Sequence, residues 1–150
     1  MDNADKRILR ALQQNPDLTM RELGEATGLS PTPCWRRLKK LKESGVIEAK
    51  RYILNASAAG YSIVVFCFVR MKEHSRESLN EFEEAVHGIP EVLQCYLATG
   101  EHDYILRVLA RSVAQYEKTI KNSLLELPHV AIVSTSLTLN EVKNTTDIPI

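Results

Sequence analysis

Thr19-Met20-Arg21-Glu22-Leu23-Gly24-Glu25-Ala26-Thr27-Gly28-Leu29-Ser30-Pro31-Thr32-Pro33 is the stretch on which the fold turns. Thr19 and Glu22 stand in capping-box spacing, Thr19 bonding forward to a free amide and Glu22 reaching back. Met20, Leu23 and Ala26 share one face of the helix so begun, and Gly28 ends it. Only Leu29 intervenes before Ser30-Pro31 opens another helix, with Ser30 at the N-cap and Pro31 at the first helical position. Pro33 is still within the first turn, where its missing amide costs little. Two helices joined by so tight a Gly-containing turn predict a helix-turn-helix unit.

Working outward, Ile8, Leu9 and Leu12 fall on one face of an earlier helix that Asn15-Pro16 stops. The third helix runs to about Ser44, where Gly45 supplies a left-handed cap. Val46–Leu54 reads as extended, and residues 55–60 form a small-residue linker. Beyond it the rhythm changes. Tyr61–Met71 is a strand, with a continuous apolar run over Ile63–Val69. Glu77–His87 is helical, Val92–Thr99 and Tyr104–Ala110 are strands about a hairpin-like turn, Val113–Leu127 is helical, and Val130–Leu139 is the last strand. The order β-α-β-β-α-β predicts an antiparallel sheet with two helices on one face. The expected fold class is therefore α+β. A winged helix-turn-helix domain of three helices at 1–52 is joined by a linker at 53–60 to a ferredoxin-like βαββαβ sandwich domain at 61–150.

The chain holds 19 Lys+Arg and 19 Asp+Glu, a neutrality that alone argues against a protein coating nucleic acid through bulk charge. Counting by module changes this. Residues 1–52 carry 11 basic and 7 acidic side chains, a balance of +4, and residues 53–150 carry 8 and 12, a balance of −4. Five cations fall within Arg36–Lys42, all on the third helix. At about 100° per residue, Cys34, Leu38 and Leu41 form its apolar stripe. Thr32, Arg36, Lys39 and Lys40 lie opposite, with Trp35 and Arg37 on the flanks. Such a helix can offer its basic face to the major groove of double-stranded DNA. Ser30, Thr32 and Pro33 mark its N-terminal end, which suits a phosphate or a base edge. Arg36 is the candidate base reader, since its guanidinium fork fits the acceptors of guanine. Lys39, Lys40 and Lys42 suit phosphates, which position without specifying, and Arg37, on the flank, joins the DNA-binding candidates. A basic face is also what any solvated helix shows. Trp35 reads as a packing residue against the first helix or the linker in preference to a base-stacking one.

Asp5-x-x-Ile8-Leu9-x-x-Leu12 and Leu23–Leu38 together resemble the leucine-responsive/asparagine-regulator (Lrp/AsnC, feast/famine) transcription factors. Thr99-Gly100-Glu101-His102-Asp103-Tyr104 resembles that family's T-G-x-x-D-Y turn, and Leu137–Ile150 its tail. The likeness covers essentially the whole chain. It implies a sequence-specific regulator that dimerises through its C-terminal module and assembles further to tetramers, octamers or hexadecamers. It also implies an amino-acid effector bound between dimers near the turn and the last strand. An architectural DNA-organising protein of the same fold without an effector is the alternative.

The chemistry of the turn suits a zwitterion. Gly100 exposes amides that can bond a carboxylate, and Asp103 offers the opposite charge to an α-ammonium group. Thr99, with Ser134, Thr135 and Ser136 on the neighbouring strand, adds hydroxyls; Tyr104 completes the motif. His102 would admit an acidic or polar effector or confer pH sensitivity, or simply be a turn residue. Equally, Asp103 can cap the turn and the Ser/Thr run can be an exposed strand face. The effector's identity is not legible.

No catalytic set emerges. His74, His87, His102 and His129 make no metal-spaced pair. No nucleophile-elbow or phosphate-loop pattern appears, and His102–Asp103 is the one acid/base-like pair. A non-enzyme without metal or cofactor is expected. No apolar run reaches the roughly 18–20 residues of a membrane span, and the N-terminus lacks a signal peptide. Cys34, Cys67 and Cys95 read as thiols of a reducing compartment, so a cytoplasmic, nucleoid-associated location is expected.

Overall fold

Asp2 opens the first helix, α1 (Asn3–Gln14), by accepting hydrogen bonds from the amides of Ala4 and Asp5, while the Asp5 carboxylate accepts from the Asp2 amide. The computed structural model that shows this describes residues 1–150, apart from the side chain of Lys121. The second helix, α2 (Met20–Thr27), starts on the expected Thr19–Glu22 capping box and ends at Gly28, whose φ of 69° is left-handed. In α3 (Pro31–Glu43), Ser30 is the N-cap residue, but its hydroxyl makes no capping bond. Gly45, at φ 74°, turns the chain after Ser44. Among the described residues, Val46–Leu54 joins no strand ladder.

Ile8, Leu9, Leu23, Cys34, Leu38 and Leu41 form the core of this three-helix unit. Contacts group it as Met1–Ile53 together with Lys143–Ile150. The tail therefore returns to the first unit, whereas the sequence reading runs one domain from 61 to 150. Ile150 packs on the three-helix core, the Arg10 guanidinium donates to its carbonyl, and the Gln13 amide exchanges two bonds with the Ile148 backbone, at 2.7 and 3.1 Å. The charge segregation survives this regrouping: 12 basic against 8 acidic residues in the first unit, 7 against 11 in the second.

The second unit, Leu54–Val142, holds β1 (Ile63–Met71), α4 (Arg76–His87), β2 (Val92–Leu97), β3 (Tyr104–Ala110), α5 (Val113–Thr119) and β4 (Val130–Leu137). The sheet order is β2-β3-β1-β4, antiparallel throughout, as the ferredoxin-like reading requires. Val65, Cys67, Val69 and Met71 alternate inward from β1 and pack with Phe82 and Val86 of α4 and Tyr116 of α5.

The expected helix over 113–127 is interrupted. After Thr119 the chain makes a π-turn over Ile120–Leu124, closed by the bond from the Leu125 amide to the Ile120 carbonyl. Spacing Tyr116, Ile120 and Leu124 by four drifts about 40° per step in an α-helix. Tyr116 and Leu124, on either side of this wider turn, are both buried in the core beneath the sheet. Cys34 and Cys67 are buried and Cys95 half-buried, all as free thiols. Burial raises all three thiol pKa values, Cys95 to about 11. No helix among the described residues is long and apolar enough to cross a membrane.

Candidate functional site

Gly24 is what allows α2 and α3 to meet so closely. A Cβ built there would lie 2.6 Å from the Leu29 carbonyl oxygen, and the Leu29 amide bonds the Gly24 carbonyl at 2.9 Å. With that turn closed, α3 buries Cys34, Leu38 and Leu41 and exposes Thr32, Pro33, Arg36, Lys39 and Lys40. Ser30 is exposed at its start. Among the described residues, Arg36 and Lys40 make no ion pair, whereas Lys39 lies 3.6 Å from Glu43.

Arg37 is differently placed from the other candidates. Its Nη1 reaches Asp2 at 2.7 Å and Asp5 at 2.8 Å, bracketing α3 to the start of α1. The Asp5 amide and the Arg37 guanidinium hold the Asp2 carboxyl down at about 2, and the Asp2 amide and Arg37 likewise lower Asp5. Sequence reasoning quoted Asp5 as a motif position but missed this pairing, since nothing local links residues 32 or 35 apart. Asp2, Asp5, Pro33, Arg36, Arg37 and Lys40 line one open depression. Trp35, expected to pack, lies outside the core cluster and is 52% exposed.

The turn at residues 98–103 is held from three directions. The Ala98 amide donates to the Asp103 carbonyl, and the Asp103 amide to the Val69 carbonyl, both at 2.8 Å. Asp103 Oδ2 accepts from the Met71 amide at 2.7 Å, and Oδ1 lies 2.8 Å from His74 Nε2. Burial opposes ionisation of Asp103, but these partners and Arg70 outweigh it and lower its pKa. Arg70 donates through Nε and Nη2 to the Glu101 carbonyl at 3.1 and 3.0 Å. Arg70 and His74 were missed in the sequence because strand register, not spacing, brings them here.

Thr99 and Gly100 are exposed at the tip, and Gly100 takes φ 117° with open space where a side chain would stand. The His102 ring tilts against Phe68, centroids 5.4 Å apart. Ser134 and Ser136 pair with Phe68 and Phe66 in the β1–β4 register and share their face of the sheet. Thr135 takes the other face, where its hydroxyl meets Tyr116 Oη at 2.9 Å. The hydroxyl run is therefore split, because side chains alternate along a strand. Tyr104 is a core residue: 1% exposed, stacked on Phe82 at 4.4 Å, and donating to Glu83 at 2.8 Å. Burial and Glu83 push its phenol pKa up. Thr99, Gly100, His102 and Asp103 gather at the turn; Ser134 and Ser136 lie on the sheet face of Phe68, against which His102 rests.

Comparison with known proteins matches residues 64–148 to the Lrp/AsnC ligand binding domain and residues 1–48 to a winged helix-turn-helix DNA-binding domain. A leucine-responsive regulatory protein of Rhizobium meliloti (strain 1021) is 37% identical over 150 residues, covering 100% of this chain and 96% of its own. The crystal structure of an AsnC family transcriptional regulator from Agrobacterium tumefaciens superposes with a TM-score of 0.94 at 36% identity, covering 99% of this chain and 97% of that one. A transcriptional regulator from Neisseria meningitidis, solved in complex with L-Met, superposes with a TM-score of 0.94 at 33% identity, over 99% and 96% of the two chains.

Proposed function

Because this chain belongs to the Lrp/AsnC family of transcriptional regulators, we propose that it reads DNA through α3 and answers to an amino acid bound at the 98–103 turn. The observation that carries the DNA half is the arrangement of α3. Its apolar stripe is spent on the three-helix core, and Arg36 and Lys40 face outward with no ion-pair partner among the described residues. A recognition helix placed in a major groove needs free side chains of this kind. Arg36 reads a guanine edge, while Lys39 and Lys40 hold phosphates. Arg37 contributes chiefly by fixing the pose of α3 on α1, with its remaining donors available to phosphate.

For the ligand half, Gly100 offers amides to an α-carboxylate. Asp103 accepts one bond on each oxygen from the protein. A carboxylate has about four lone-pair sites, so it retains capacity for an α-ammonium group. His102, Ser134 and Ser136 extend the candidate set along the sheet face of Phe68, with Thr99 at the tip of the turn. The amino-acid class is supported by the Neisseria meningitidis relative, whose structure holds L-Met. No step of this function needs a catalytic group, cofactor or metal, and the chain works where the chromosome is, in the cytoplasm.

A second copy of the chain completes the assembly. Phe66, Tyr96 and Ile132 stand exposed on the face of the sheet that α4 and α5 leave uncovered. Tyr52, Ile53 and Leu54 are exposed as well, and so much exposed apolar surface is more than a monomer ordinarily leaves in water. Two helix-turn-helix units joined this way read a palindrome.

Thermal melting in the presence of each amino acid tests the ligand half. A compound that binds only the native state must raise Tm. One or more amino acids should do so, and none raising it would leave the architectural role in place of the regulated one.

A further inference from the structure

Trp35 is the only tryptophan of the chain, and α3 does not use it to build the core. Its position is about 100° around the helix from Cys34. That is the shoulder between the buried stripe and the outward face of Thr32, Arg36 and Lys39. The Lys39 ammonium lies 5.5 Å from the indole centroid, a cation–π contact that steadies the ring where it is. About half of the residue still reaches solvent, at 52% exposure.

A large apolar ring against Lys39, on the shoulder next to Arg36, is out of keeping with a face that only grips phosphate. Those cations carry α3 onto a polyanion, and the indole is desolvated when they do. In the major groove every base pair presents polar edges, and the one apolar group there is the 5-methyl of thymine. The indole N–H is a donor only, so the ring itself can gain from burial but cannot read a base by paired hydrogen bonds.

We propose that Trp35 is a specificity-determining residue, its indole covering a thymine methyl beside the base pair read by Arg36, so that the chain selects an A·T pair there. The proposal rests on the DNA-reading assignment above. It commits to duplex DNA as the occupant of this patch because the surrounding charge is basic.

The test replaces thymine by uracil, which deletes only the methyl. Full-length protein selects from duplexes with a randomised core, and the winning duplex is made in thymine and uracil forms. Wild type should bind the uracil form about fourfold more weakly for each methyl covered, and Trp35 emission should shift to the blue on the thymine form. Trp35→Ala should bind both forms alike and melt at an unchanged Tm, since the residue lies outside the core. Trp35→Phe, which keeps a flat ring, should retain part of the preference. Equal wild-type affinity for the two forms, a preference that survives in Trp35→Ala, or a selected sequence without thymine would each overturn the proposal. A wild type that enriches no sequence would strike the DNA-reading assignment beneath it.

Discussion

Arg36 and Lys40 both leave α3 for solvent without an ion-pair partner among the described residues, yet their removal should be felt differently. Arg36→Ala should weaken binding to a selected operator by roughly 5–150-fold, the 1–3 kcal/mol of a lost bidentate base contact, and change random duplex far less. Lys40→Ala should weaken both alike and reduce the salt slope of binding by about one. Equal losses on both duplexes for Arg36→Ala would remove it from base reading. A second expectation concerns acid. The Asp2, Asp5 and Glu22 carboxyls are all lowered in the folded state, so the folded state favours their anions. That contribution is complete above the ordinary range near pH 4. It is lost as pH falls toward about 2, where Asp2 itself protonates. Helicity followed by circular dichroism should drop across that window. Asp2→Asn should lower Tm at neutral pH yet converge on wild type as pH falls below about 2, and an equal deficit at both would contradict the pairing. At this scale the sequence speaks unevenly. Arg36 stands out because amphipathic periodicity puts it opposite the core stripe. The engagement of Asp103 with Met71 and His74 does not, because its partners arrive through the register of β1 against β3.

Gly24 gives the sharpest test among the elements. Gly24→Ala sets a Cβ against the Leu29 carbonyl oxygen, a backbone atom that cannot swing aside. Overpacking of this sort costs typically 1–3 kcal/mol. The variant should melt earlier and lose operator binding together, because the clash opens the angle between α2 and α3. Operator binding retained at wild-type strength would show that the turn is not the determinant. The returning tail makes a separate prediction. Gln13→Ala removes both side-chain bonds to Ile148, at about 1 kcal/mol each. The Ile148 amide should then lose its protection in hydrogen exchange while amides of β1 keep theirs. Most element boundaries were legible because caps and prolines announce them: Thr19–Glu22, Gly28, Pro31 and Asn15-Pro16 each mark an end. The π-turn at Ile120–Leu124 was not, since no cap, glycine or proline marks it and its buried residue, Leu124, belongs to a core assembled from distant elements. Nor was the split of Ser134, Thr135 and Ser136, which reads as one hydroxyl cluster until the strand alternates it across two faces.

For the whole molecule, neutrality is the sum of a first unit at +4 and a second at −4. So modest a basic excess makes a lone reading head a weak binder, and several must engage together for tight binding. The uncovered sheet face is the proposed means of bringing them together. Ile132→Asp, a charge placed on that face, should yield a monomer by sedimentation and weaken operator binding well beyond its effect on melting. A variant that stays oligomeric would move the interface elsewhere. In the proposed function one chain couples an amino acid to a DNA reader. The most direct measurement is the Kd of full-length protein for its selected operator, taken with and without each amino acid in saturating excess. At least one amino acid should shift Kd by roughly 5–150-fold, the usual span of allosteric coupling, and Asp103→Ala should still bind the operator but lose that shift. An operator Kd unmoved by every amino acid would contradict the account.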